Sequence, residues 1–160
     1  MARWPDIVHY FNPLTDTALR DPQGVKMNTN LMTWLDAFRM ALGQPFTVTS
    51  GFRPSGANMA AGGASDSAHL DGEAVDGYAE GVRLTTMAAI ALTYPFSGVG
   101  LYPHTTPATI HLDVRDRGHS VWPHRRTALW IRLADGQYVY APTTEFRMAW
   151  RQLVWGEGRS

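Results

Sequence analysis

One segment of this chain, from Ser67 to Asp76, restricts the fold more than any other, because it places a histidine and an aspartate seven residues apart around a glycine. A chain that turns at Gly72 brings His69 and Asp76 to one point, and glycine adopts the backbone conformations of tight turns most readily. Imidazole and carboxylate groups are ligands of divalent transition metals. We therefore expect a turn at Gly72 and a shared position for the two side chains.

A second segment, from Thr109 to Arg115, alternates polar and apolar residues as a strand does. In a strand, Ile110 and Leu112 face one side of the sheet, and His111 and Asp113 share the other. Two imidazoles and a carboxylate form a three-ligand set of catalytic zinc, whose fourth position is left to a water that the metal makes more acidic. Asp113 would then act as the base. The alternative is a surface hydrogen bond between His111 and Asp113.

Composition limits the possible metal ligands and binding partners of the chain. The chain has no cysteine, so disulfides and thiolate metal sites are excluded, and His, Asp or Glu must hold any transition metal. Fourteen basic and fourteen acidic side chains give a formal net charge of zero, which favours neither a nucleic acid nor a membrane as partner. The first residues lack the apolar run of a secretory signal, so we expect a protein made in a cytoplasm.

Helical and strand patterns alternate along the chain. Amphipathic spacing predicts helices at Asn28–Leu42, Leu84–Leu92 and Thr144–Val154. Alternation and β-branching predict strands at Phe46–Thr49, Gly98–Tyr102 and Thr109–Val114, and a hairpin of Leu129–Leu133 with Gln137–Tyr140. The segment Pro54–Asp66 reads as a loop with a short helix after Asn58. We expect an α+β fold, a small antiparallel or mixed sheet packed with helices, in one domain spanning residues 1–160.

Four motifs, in order, resemble those of peptidase family M15, the zinc D-Ala-D-Ala carboxypeptidases and L-alanyl-D-glutamate endopeptidases. The segment from Ser67 to Asp76 matches the family signature SxHxxGxAxD in full. The segment Thr49–Pro54 is similar to the preceding TSGYR motif, and Gly98–Tyr102 and His111–Arg115 are similar to GxGxY and HxDxR. The likeness runs from about Tyr10 to about Arg115.

This resemblance implies a fold like that of D-Ala-D-Ala peptidases and hedgehog domains, with one zinc ion held by His69, Asp76 and His111. Arg53 aligns with an arginine that holds a substrate carboxylate, a role suited to the two parallel hydrogen bonds of a guanidinium. The alternative for Arg53 is a structural salt bridge to a loop carboxylate such as Asp66. Two further predicted substrate-binding residues are Ser67 and Tyr102.

The chain departs from the family pattern at one catalytic position. Several branches of the family carry an acidic residue three positions before the last zinc histidine, where this chain has Ala108. The proton shuttle must therefore come from another residue. Asp113 and, on the preceding loop, His104 are the candidates.

The resemblance implies hydrolysis of an amide in the stem peptide of bacterial peptidoglycan, as an endopeptidase or a D,D-carboxypeptidase. A phage lysis enzyme, a virion-borne peptidase and an exported bacterial enzyme all agree with this activity. We expect a monomer or a component of a virion, acting on the wall after release from the host cytoplasm or during entry. The alternative is a non-catalytic zinc-binding module of the same fold, which the missing acid at Ala108 supports.

Overall fold

Six strands form one mixed sheet in the computed structural model, which describes residues 2–56, 67–115 and 127–158. The strands are β1 (Thr47–Ser50), β2 (Ala74–Tyr78), β3 (Gly98–Tyr102), β4 (Thr109–Asp113), β5 (Ala128–Arg132) and β6 (Tyr138–Tyr140). Their order across the sheet is β1-β2-β4-β3-β5-β6. The β3–β5 pair is parallel and the other neighbours are antiparallel. The predicted α+β class with a mixed sheet is confirmed.

Three α-helices accompany the sheet in the described ranges: α1 (Thr29–Leu42), α2 (Leu84–Ala91) and α3 (Thr144–Glu157). Asn28 caps α1 by accepting a hydrogen bond from the Leu31 N–H, and Gly43 ends it with a φ of 70°. Such an N-cap and a left-handed glycine at the end are the usual boundaries of a helix. None of the helices in the described part of the chain is long and apolar enough to cross a membrane.

One face of the sheet is apolar and joins the core. Val75, Val99, Leu101, Ile110 and Leu112 are all inaccessible to solvent and belong to one hydrophobic cluster. The same cluster contains side chains of all three helices, among them Leu35, Phe38, Met87 and Phe146. Because side chains alternate along a strand, the residues between these apolar positions lie on the opposite face, which carries the polar side chains of the sequence motifs.

Most predicted elements agree with the structure to within a few residues at their ends, but β2 was missed. Its sequence, Ala-Val-Asp-Gly-Tyr, contains a single β-branched residue and a glycine, so its local strand signal is weak. It becomes a strand because it pairs with β1 on one side and with β4 on the other. The helix predicted after Asn58 lies outside the described residues.

A buried aspartate, Asp21, organises the loop that supports the Ser67–Asp76 segment. Its carboxylate accepts hydrogen bonds from the N–H groups of Val25, Lys26 and Met27 and from the Trp4 indole, at 2.8 to 2.9 Å. This loop packs directly against Gly72, since a Cβ there would lie 2.1 Å from the Lys26 carbonyl oxygen. As expected, the chain turns at Gly72, whose φ is 68°.

Candidate metal centre

A single row of residues crosses all six strands on the polar face of the sheet. The β-sheet register aligns, from β1 to β6, Ser50, Asp76, His111, Gly100, Trp130 and Tyr140. Directly opposed residues in neighbouring strands have side chains close enough to interact. The register therefore places Asp76 beside His111.

The three predicted metal ligands meet at Asp76. His69 Nε2 lies 3.1 Å from one carboxylate oxygen of Asp76, and His111 Nδ1 lies 2.8 Å from the other. One potential ligand atom from each of the three residues lies within 4.8 Å of the other two. The side chains of His69 and His111 are buried, whereas Asp76 keeps 22% of its side chain accessible. The cluster is thus reached from the Asp76 side.

A backbone carbonyl fixes the orientation of His69. The Nδ1 atom of His69 lies 2.8 Å from the carbonyl oxygen of Gly51, which can only accept, so Nδ1 carries the proton and Nε2 faces Asp76. Gly51 belongs to the Thr49–Pro54 motif and has no room for a side chain, because a Cβ would lie 2.6 Å from the Cα of Leu19. This motif therefore supports the first histidine of the cluster.

The Asp113 carboxylate holds His111 from the opposite side. Asp113 Oδ2 lies 2.9 Å from His111 Nε2, and Asp113 is inaccessible to solvent. The His111 ring thus stands between Asp113 and the position shared with Asp76 and His69. The assignment of Asp113 as the base stays a prediction, and this burial behind the ring does not favour it.

Two glycines of β3 make room for the side chains around His111. A Cβ on Gly98 would lie 2.4 Å from Asp113 Oδ2, and a Cβ on Gly100 would lie 2.4 Å from the Trp130 indole. The Trp130 ring centroid is 5.3 Å from that of His111. The alternating glycines of the GxGxY motif were the available signal that neighbouring side chains lie over β3.

The other predicted site residues surround this centre. Arg53 Nη2 donates to Ser50 Oγ at 2.8 Å and lies 3.7 Å from Asp76 Oδ2, so its guanidinium faces the cluster. Asp66, its alternative partner, lies outside the described residues. Ser67 caps the short 3-10 helix Ala68–Asp71 by accepting from the His69 N–H.

Tyr102 and His104 lie at cavities next to the cluster. A cavity of about 310 Å³ is lined by Asp76, Tyr102 and Thr105, among others. A neighbouring cavity of about 220 Å³ is lined by Tyr102, His104 and Arg132, among others. Tyr102 is thus placed beside the predicted metal ligand Asp76. The exposed His104 lines the neighbouring cavity.

The electrostatics of the cluster favour cation binding. Burial alone would raise the pKa of Asp76, but its hydrogen bonds with His111 and His69 outweigh burial and lower the pKa well below its usual value. Burial would likewise lower the pKa of His111, yet hydrogen bonds with Asp113 and Asp76 raise it to about 9. Two imidazoles and one ionised carboxylate are a donor set that suits a divalent transition metal.

An α+β fold whose sheet carries a His-Asp-His cluster, open on one side, has the features of a metal-dependent hydrolase. The sequence model of the family described as Peptidase M15 matches residues 9–113, more than half of the chain. The chain therefore belongs to peptidase family M15, as the motifs predicted. A search of curated proteins found no match.

Proposed function

We propose that the chain is a zinc-dependent peptidase that hydrolyses an amide in the stem peptide of bacterial peptidoglycan. The observation that carries this proposal is the meeting of His69, Asp76 and His111 at one accessible point, in a chain of a peptidase family. Zinc, when bound, polarises a carbonyl group and lowers the pKa of a water molecule. Nitrogen and oxygen donors without cysteine agree with such an ion.

Both histidines are fixed by a second hydrogen bond, which supports their role as ligands. The acceptors are the Gly51 carbonyl for His69 and the Asp113 carboxylate for His111. Groups of this kind set the tautomer of a metal-ligating histidine and raise its basicity. We therefore assign Asp113 to positioning His111.

His104 is then the stronger candidate for proton transfer. It is exposed on the loop between β3 and β4 and lines the cavity that neighbours the one beside Asp76. Histidine is also the side chain that most often acts as a general acid or base. Ser67, Arg53 and Tyr102 are proposed to contact substrate. For Arg53, the approach to Asp76 also supports a role in holding this ligand.

The choice between endopeptidase and D,D-carboxypeptidase stays open. We propose that the protein is made in a host cytoplasm and reaches the wall after release or as part of a virion. The peptidoglycan stem peptide is then its partner, with neither nucleic acid nor membrane involved. This setting rests on the sequence resemblance and the balanced charge.

The test is digestion of isolated peptidoglycan by the purified protein, with zinc or with a chelator, followed by mass spectrometry of the new peptide ends. We expect zinc-dependent cleavage that His69→Ala abolishes. His9→Ala is the matched control, because the His9 side chain is 85% exposed and lies outside the cluster. Tight zinc binding without cleavage of any wall type would contradict hydrolysis and favour the non-catalytic zinc-binding module.

A further inference from the structure

A second row of side chains follows the metal-ligand row on the polar face of the sheet. Tyr102 comes two residues after Gly100 on β3, and Arg132 comes two residues after Trp130 on β5. Gly100 and Trp130 are partners in the register, so Tyr102 and Arg132 share their face one step along the strands, about 7 Å further. Arg132 in turn pairs with Tyr138 of β6.

These residues border a cavity that neighbours the one beside Asp76. The cavity of about 220 Å³ between Tyr102 and Arg132 shares Tyr102 and Thr105 with the cavity that reaches Asp76. Its lining contains two basic side chains, Arg132 and His104, and no acidic side chain among the described residues. A substrate lying over the cluster therefore lies next to a basic subsite.

The Arg132 guanidinium is not engaged by a carboxylate of the described chain. The guanidinium lies over an aromatic ring, with its Cζ atom 5.8 Å from the ring centroid of Tyr138. Arg53, in contrast, lies 3.7 Å from the metal ligand Asp76 and donates to Ser50. Of these two arginines, Arg132 is the one that lines a cavity whose described lining contains no acidic side chain.

Tyr102 contributes a neutral donor to the same cavity. Tyr102 lines this cavity, and because the ordinary pKa of a tyrosine phenol is about 10, its hydroxyl keeps its proton at neutral pH. A protonated phenol donates to an anion, whereas a phenolate would repel it. The pair formed by Tyr102 and Arg132 thus offers donors that suit an anionic group.

We propose that the cavity between Tyr102 and Arg132 is a substrate subsite that takes a free carboxylate of the peptide near the bond that is cut. The guanidinium suits this group because it forms two parallel hydrogen bonds with a carboxylate. Arg132 lies beyond residues 9–113, so the family match does not include this specificity element. The inference rests on the proposed peptidase function for the identity of the ligand as a peptide.

Two sources of the carboxylate are distinguished by matched synthetic peptides. One pair is a stem pentapeptide ending in D-Ala-D-Ala, with a free C-terminal carboxylate or a carboxamide. The other pair carries the D-glutamate α-carboxylate or its amide. The acid-to-amide preference of zinc-loaded protein is measured as a ratio of kcat/KM where a peptide is cut and as a ratio of Kd where it is not.

We expect wild-type protein to prefer the acid of one pair by about tenfold, as is typical of hydrogen bonds between charged groups. Arg132→Gln should abolish that preference, and Arg132→Lys should keep part of it. Arg151→Gln, on the exposed surface of α3, is the matched control and should leave the preference unchanged. Thermal unfolding verifies that each variant is folded.

The subsite would be overturned if the wild type bound or cut the acid and the amide equally well, or if Arg132→Gln kept the acid preference of the wild type. If no peptide is cut but an acid preference in binding is lost in Arg132→Gln, the subsite stands and the hydrolytic function fails. If the peptides are cut without any acid preference, the hydrolytic function stands and the subsite fails.

Discussion

The Asp113 carboxylate and the His111 imidazole form a buried pair, with Oδ2 2.9 Å from Nε2 and Asp113 inaccessible to solvent. The other ring nitrogen of His111 faces Asp76 at 2.8 Å. A single imidazole therefore connects a fully buried acid to the accessible His-Asp-His cluster. Asp113 could therefore act in one of two ways, by positioning His111 or as the base. The two roles predict different effects of substituting Asp113.

Asp113→Asn should weaken zinc binding by about 10- to 100-fold, the usual effect of losing an outer-shell partner of a metal ligand. The asparagine keeps the size of the side chain but removes the charge that stabilises the His111 ring. Competition with a chromophoric chelator measures the affinity. Asp71→Asn is the control, since Asp71 is exposed and lies directly before the turn at Gly72. Unchanged zinc affinity with lost cleavage would instead identify Asp113 as the base.

His104→Gln should lower kcat by about 100-fold or more if His104 transfers the proton, because general acid–base groups contribute on this scale. Zinc affinity should stay the same, since His104 is not among the three residues that meet at the cluster. Steady-state cleavage of peptidoglycan fragments provides the measurement. A kcat equal to that of the wild type would exclude His104 as the shuttle.

Gly100→Ala should reduce the free energy of unfolding by about 1–3 kcal/mol, as is usual when atoms are inserted into a packed site. The new Cβ would lie 2.4 Å from the Trp130 indole, so the ring would have to leave its position against His111. Chemical denaturation measures the effect. Gly156→Ala, on α3 with no atom within 4 Å of its Cβ, should be neutral or slightly stabilising. Equal effects at the two glycines would contradict this account of the motif.

Asp21→Asn should destabilise the protein by about 2–4 kcal/mol, because it weakens a buried network of four hydrogen bonds. Burial alone would raise the pKa of Asp21, but its hydrogen bonds, the one from Met27 first, outweigh burial and lower it. A lowered folded-state pKa means that this stabilisation is present above the ordinary carboxyl pKa of about 3.9 and is lost as the pH falls below it.

Unfolding measured between pH 6 and pH 2 should therefore show a smaller loss of stability on acidification for Asp21→Asn than for the wild type. Asp16→Asn is a suitable control, because Asp16 accepts its hydrogen bond from the Asn12 N–H at an exposed position. Parallel acid profiles for the wild type and Asp21→Asn would disprove the role of this carboxylate.

Much of the centre is predictable because its predicted ligands lie in short motifs with strong local constraints. The spacing of His69 and Asp76 around Gly72, and the alternation at His111 and Asp113, are visible in the sequence alone. Their meeting point required a strand at Ala74–Tyr78, which local propensity does not indicate and which depends on pairing with both neighbours.

The remaining features depend on contacts between distant segments. Trp130 reaches His111 through the parallel β3–β5 pairing, and no local pattern predicts this register. Asp21 resembles an ordinary loop acid until the four donors that surround it are known. The burial of Asp113 likewise follows from Gly98, whose missing side chain leaves the space that the carboxylate fills.

The most direct test of the central claim is an anomalous difference map at the zinc absorption edge, from crystals of the zinc-loaded protein. We expect one peak, from a zinc ion bound by Nε2 of His69, Nδ1 of His111 and the Asp76 carboxylate, with its remaining position open towards the cavity beside Tyr102. A peak at other residues, or one closed by a fourth protein ligand, would contradict a catalytic zinc at this centre.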